Sequence, residues 1–159
     1  MKIRIICVGK LKEKYLKDGI AEYAKRLSRF CSFEIAELSD EKIPSNPSDA
    51  QCLKVLESEG DAILKKMSPD AYAIALCVEG KQLSSEKLAR KMSDIMLSGK
   101  STVEFIIGGS LGLADSVKQR CDFKLSFSEF TFPHQLMRLI LSEQIYRSFK
   151  INSNEEYHK

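Results

Sequence analysis

The sequence predicts one α/β domain, with a mainly parallel sheet and helices on both faces. Three observations predict it. Strand-like apolar runs alternate with helix-period segments from end to end, the connections between them are short, and "AYAIALCV" (71–78) is apolar without interruption, the mark of a strand covered on both faces.

The elements follow in order. "KIRIICV" (2–8) reads as a strand, and a helix follows with Leu16, Ile20, Tyr23 and Leu27 on one stripe, the i, i+4, i+7, i+11 spacing of a packed face. "SFEIAEL" (32–38) is the second strand. Beyond Pro44 and Pro47, Ser48 and Gln51 form a capping-box pattern, which opens a helix whose stripe is Leu53, Leu56, Gly60, Ile63, Leu64 and Met67. The run 71–78 is the third strand, with a turn expected after residue 78. Ser84 or Ser85 caps the next helix, which carries Leu88, Met92, Ile95 and Met96 and closes at Gly99. "TVEFII" (102–107), a Gly-rich turn, a short helix near 113–120, "CDFKLSF" (121–127) and a final helix beginning beside Pro133 complete a βαβαβαβαβα order. No repeat or linker divides residues 1–159, so one domain is expected.

Composition excludes several classes. With 43% apolar and 30% charged residues, a chain of 159 can bury a core without disulfides or a structural metal. Cys7, Cys31, Cys52, Cys77 and Cys121 are odd in number and scattered, with no CxxC or Cys/His pairing, so reduced thiols in a cytoplasmic protein are expected. No run approaches a membrane span, and no Asp/Glu/His spacing suits a metal. Residues 1–29 hold nine Lys/Arg against three acids, a footprint that suits a polyanion or simply a solvated helix face.

Ligands of layered α/β domains bind beyond the carboxyl ends of the strands, which directs attention to the turns after residues 78, 107 and 127. "SGKST" (98–102) is not a P-loop, because Asp94 stands where that motif needs Gly and a helix precedes it. In "IIGGSLGL" (106–113), Gly108, Gly109 and Gly112 follow a strand and precede a helix, so backbone can approach a ligand closely or merely make a tight turn. A Rossmann dinucleotide site is disfavoured by the spacing and by its place fourth in strand order. "SFSEFTFPHQ" (126–135) sets Phe127, Phe130 and Phe132 among small hydroxyls, either as walls for an adenosine-like group or as plugs for the core. His134 reads as a polar residue of a helix's first turn. His158, in the terminal "YHK", reads as a chain end or as a titratable group beside an aromatic one.

Taken together, "VGKLKEKYL", "FIIGGSLGL", "SFSEFTFPHQLMRLILSEQIYR" and "EYHK" resemble the ribosomal RNA large subunit methyltransferase H family, a branch of the SPOUT class. The resemblance is colinear over essentially the whole chain. It implies a homodimer whose protomers carry a C-terminal trefoil knot, a feature that general topology rules would exclude. It implies S-adenosylmethionine as cofactor, held by Leu76, Gly108, Phe127, Ser128, Glu129, Phe130, Thr131 and Phe132. The implied activity is methylation of N3 of a pseudouridine in 23S ribosomal RNA of the assembled ribosome. Tyr157 and His158 are then expected to position the base or handle its proton, and Arg138 to meet RNA phosphate or negative charge on the uracil ring. An RNA-binding module and a nucleotide-binding hydrolase built on the Gly turn are the competing classes.

The last helix adds an expectation about assembly. Met137, Leu141 and Ile145 form one apolar stripe, Leu139 and Tyr146 another, with Gln135/Arg138/Ser142 and Glu143/Arg147 between them. Two-sided packing of this kind is read as the protomer's own sheet on one side and a partner subunit on the other.

Overall fold

The computed structural model describes residues 1–157. Ten elements alternate along them: β1 (Lys2–Val8), α1 (Lys14–Leu27), β2 (Ser32–Leu38), α2 (Asp49–Lys66), β3 (Tyr72–Gln82), α3 (Ser85–Leu97), β4 (Thr102–Ile107), α4 (Asp115–Arg120), β5 (Phe123–Ser126) and α5 (His134–Asn152). The five strands form one sheet of order β2-β1-β4-β3-β5, and every pairing is parallel.

Handedness explains the layering. The connections from β1 to β2 and from β3 to β4 step one way along the sheet, and those from β2 to β3 and β4 to β5 step the other way. Right-handed crossovers therefore place α1 and α3 on one face and α2 and α4 on the other. The two cores agree: Ile3, Ile5 and Cys7 of β1 pack with Leu27, Met92 and Leu141, whereas Ile6 and Val8 pack with Ile63 and Val117. Alternation along β1 feeds both layers. Among the described residues, no helix is long and apolar enough to cross a membrane, and no group of His, Cys, Asp and Glu is placed to hold a metal ion.

Local signals act as the sequence implies at most ends. Ser48 and Gln51 make both bonds of the capping box, and Ser84, rather than Ser85, caps α3 by accepting from the Lys87 N–H. Asn154 takes a left-handed backbone, with φ 52°.

Three expectations are corrected. β3 does not turn after residue 78 but runs to Gln82, because a bulge carries it past Cys77–Gly80: Leu76 and Lys81 both pair with Leu125. Gly80 permits this, since a methyl group there would lie 2.6 Å from the Leu125 carbonyl carbon. Leu53 does not join the α2 stripe and is 57% exposed, because the buried residues of that helix begin only at Glu59. The second apolar stripe of α5 needs no partner subunit, because α1 of the same chain covers it. Tyr146 meets Tyr23 and Phe30 at ring separations of 6.1 and 6.0 Å, and a methyl group at Gly19 would lie 3.0 Å from Leu139 Cδ1.

One buried charge lies beyond any local pattern. Glu104, fully buried in β4, pairs with Arg4 of the neighbouring β1 and accepts from the Ser68 N–H and hydroxyl, so it ties the end of α2 to the sheet. Such a pair stabilises little by itself, but removing one partner leaves the other charged and buried.

Candidate active site

Adjacent strands that send their chains to opposite faces leave a crevice at their carboxyl ends. β3 leads to α3 on one face and β4 to α4 on the other, and a cavity of about 610 Å³ opens there. Its walls come from the bulge of β3, the Gly turn after β4, the loop after β5 and the start of α5.

The Gly turn closes on itself. The Gly112 N–H donates to the Gly109 carbonyl at 3.1 Å, the two residues form an antiparallel bridge, and Gly112 takes φ +86°. A methyl group at Gly108 would lie 2.1 Å from the Gly112 carbonyl oxygen, so no side chain can stand there. At Gly108 the cavity is therefore lined by main chain alone, which a ligand can approach closely. In the loop after β5, buried Ser126 donates its hydroxyl to the Ser128 carbonyl at 3.0 Å, and the Ser128 hydroxyl accepts from the Phe130 N–H at 3.1 Å. Short serine bonds of this type shape the loop without secondary structure.

Leu76, Gly108, Phe127, Ser128, Phe130, Thr131 and Phe132 all line the cavity. Glu129 is on the same loop, exposed and outside the lining. Arg138 is fully buried: its guanidinium donates to the Val8 carbonyl at 2.8 Å, the Gly9 carbonyl at 2.9 Å and Glu37 at 2.9 Å. It braces the end of β1, and contact with a phosphate would require that pair to open. Tyr157 is not at the cavity. Its phenol donates to Glu143 at 3.2 Å, its ring stands edge-on to Tyr146 at 5.0 Å, and the Arg147 guanidinium lies 4.9 Å over it. Burial pushes this phenol well above its ordinary range. Tyr146 is nine residues beyond the cavity-lining Met137, roughly 13 Å along a helix axis. His158 lies outside the described residues.

Sequence reasoning passed over the four titratable lining residues. Cys77 and Glu79 reach the cavity through the bulge, and Lys118 stands there paired to Glu79 at 2.8 Å and Asp115 at 2.9 Å. His134 lines it as well, and burial, with Arg138 adding to it, lowers its pKa from the ordinary 6.5, so the imidazole is uncharged at neutral pH. Its position directly after the phenylalanine loop was the signal available.

Glu59 supports the turn from below. It is 5% exposed, its Oε1 accepts from the Glu41 N–H at 3.1 Å, and its Oε2, without a partner among the described residues, would lie 2.8 Å from a methyl group at Gly109. Burial raises its pKa above the ordinary 4.5, with Asp40 and Glu41 adding to the effect. The folded state thus holds this proton more tightly than the unfolded chain does, and stability falls as pH rises from 4.5 through the folded value. Glu59→Gln, which keeps the acceptor, is expected to raise Tm by about 2–4 °C at pH 8, and the gain should vanish below about pH 4. Calorimetric melting across that range checks it; an equal gain at both ends would remove the titration from the explanation.

The family model described as "Predicted SPOUT methyltransferase" matches residues 1–158, which makes this parallel-sheet domain, with its cavity between a strand bulge and two strand-end turns, a methyltransferase of the SPOUT class. The chain belongs to the ribosomal RNA large subunit methyltransferase H family. It is 57% identical to the protein of that name from an Exiguobacterium species and 56% identical to that from Bifidobacterium adolescentis, each over 159 residues and 100% of both chains. Solved structures carry the same fold at low identity. A probable methyltransferase from Bordetella pertussis aligns with TM-score 0.56 and 10% identity, covering 92% of this chain and 95% of that one. A tRNA methyltransferase from Aquifex aeolicus aligns with TM-score 0.54 and 14% identity, covering 92% and 70%.

Proposed function

We propose that this chain is a cytoplasmic enzyme that transfers a methyl group from S-adenosylmethionine to N3 of a pseudouridine in 23S ribosomal RNA of the assembled ribosome. The observation that carries the reading is the side-chain-free floor at Gly108, set in a cavity of about 610 Å³, a size typical of small-molecule sites. Relatives sharing more than half of the residues bear the name ribosomal RNA large subunit methyltransferase H, which supports ribosomal RNA as substrate.

The residues fit the cofactor. Main chain at Gly108 and from Phe127 to Phe132 offers amides and carbonyls to a nucleoside, while Leu76 and the phenylalanines offer apolar and aromatic faces. Bound S-adenosylmethionine supplies an electrophilic methyl group. The chain must then orient the uracil ring, exclude water and handle the N3 proton; alignment of this kind can supply about 7–11 kcal/mol of the barrier. Neutral His134 can accept a hydrogen bond or a proton at the cavity wall.

Tyr157, beyond the end of α5, packs against Tyr146 and not against its own chain's cavity. In the homodimer we propose, Tyr157 and His158 serve the partner's cavity, and exposed Val78 and Phe130, 56% and 78% accessible at the cavity wall, are covered on assembly. The trefoil threading of the C-terminal segment belongs to the same reading.

The test is labelling. Purified protein with methyl-labelled S-adenosylmethionine should transfer one methyl to ribosomes that lack the modification, and mass mapping should place it on one pseudouridine. Calorimetry should show binding of S-adenosylmethionine and S-adenosylhomocysteine that ATP does not displace. Cofactor binding without labelling would leave the methyltransferase class standing and remove the substrate.

A further inference from the structure

We infer that the β1–α1 loop, through the ammonium groups of Lys10 and Lys12, is a lip that grips RNA phosphates beside the cavity. The inference rests on the ribosomal RNA reading above. A base can enter the cavity only if the strand carrying it is held outside, and phosphate contacts are what fix such a strand in register.

The loop is built to hold its side chains outward. Its main chain is pinned on both sides of Lys10 and at Lys12: the Gly9 N–H donates to the Leu38 carbonyl at 2.8 Å, the Leu11 N–H to Glu37 at 2.9 Å, and the Lys12 N–H to the Gln135 side chain at 3.0 Å. Arg138 grips the Val8 and Gly9 carbonyls from below. Gly9, at φ +86°, makes the bend that the pinning needs. Lys10 and Lys12 are exposed, and neither ammonium has an ion-pair or hydrogen-bond partner among the described residues, whereas Lys14 beyond them is paired with Asp18. A rigid backbone presenting unpaired cations lowers the ordering cost of binding a polyanion.

The lip adjoins the site. A methyl group at Gly9 would lie 3.4 Å from the His134 Nε2, and His134 lines the cavity. The charge of Lys12 also acts on His134, behind burial and Arg138. Glu37 is engaged by Arg138 and Leu11, which leaves Glu13 and Asp40 as the acidic neighbours. Tyr15, 66% exposed in the first turn of α1 just after the lysines in sequence, adds an aromatic face, the combination that single-stranded RNA favours.

Salt dependence reads this directly. Each phosphate contact contributes about 0.7 to 0.9 to the slope of log affinity against log salt, so Lys10→Ala/Lys12→Ala should flatten the slope of KM for unmodified ribosomes by about 1.4–1.8. KM at low salt should rise about tenfold, with kcat and S-adenosylhomocysteine affinity unchanged. Lys10→Arg/Lys12→Arg should keep the slope, and so should Lys54→Ala/Lys65→Ala, which removes the same charge from α2. An unchanged slope in the first variant, or equal flattening in the α2 variant, overturns the proposal. So does a raised KM at constant slope, which would point to contact with a ribosomal protein. A wild-type chain that binds cofactor but labels no ribosomes defeats the functional reading itself, a distinguishable result.

Discussion

Gly108→Ala is expected to abolish cofactor binding and to lower unfolding free energy by about 3 kcal/mol. The added methyl group would meet the Gly112 carbonyl oxygen at 2.1 Å and its carbon at 2.4 Å, and both contacts are main chain that no rotamer change can relieve. The turn must open, and opening it breaks the Gly109–Gly112 bridge that shapes the cavity floor. Denaturant unfolding and calorimetry with S-adenosylhomocysteine measure the two effects. Gly99→Ala is the useful comparison. Unlike Gly108, it carries a positive φ, 85°, but a methyl group there meets nothing within 4 Å, so only the backbone strain of that conformation acts on it. A Gly108→Ala protein that binds cofactor normally would remove the glycine floor from the site.

Arg138→Ala should cost about 3 kcal/mol of stability and most of the activity. The substitution strands Glu37 beside two carbonyls that lose their donor, and such groups become costly once a buried partner is gone. Because these bonds hold Val8 and Gly9, the loop they anchor should lose its position together with the stability. Glu37→Gln, which weakens the other end of the pair, should lower stability less and raise KM for ribosomes without changing cofactor affinity. Chemical denaturation and ribosome labelling decide between two roles. An Arg138→Ala protein of wild-type stability that cannot transfer methyl would give Arg138 the RNA-contacting or ring-stabilising role its motif suggests. Loss of both assigns it to holding the loop.

The fold was legible because its signals are local. The apolar strand-like run of β1, the 3.6-residue stripe of α1, and the serine caps of α2 and α3 each act over a few residues, and each stands in the structure. The bulge of β3 was not legible, since "EGKQ" looks like a turn and becomes strand only by pairing with Leu125, over forty residues away. Glu104 in a strand and Arg138 in a helix look like surface charges until distant partners at Arg4 and Glu37 meet them. The site was legible in a different way. Glycines and phenylalanines at strand ends pointed to two turns that line the cavity, and the quoted motifs suggested a use for them. The wheel of α5 misled on what covers its second apolar stripe, because a neighbour from the same chain can cover it as well as a partner can.

The brace between Arg138 and the end of β1 also orders events during synthesis. β1 emerges first, yet its neighbours in the sheet are β2, about thirty residues later, and β4, whose Thr102 pairs with Lys2. Contacts so distant along the chain slow folding, because loop closure must precede the contacts that reward it. The bonds that hold Gly9 arrive later still, 129 residues on. A nascent chain can therefore stack strands before its cavity has a firm edge, and competence to bind arrives only once α5 has emerged and locked the turn that follows β1.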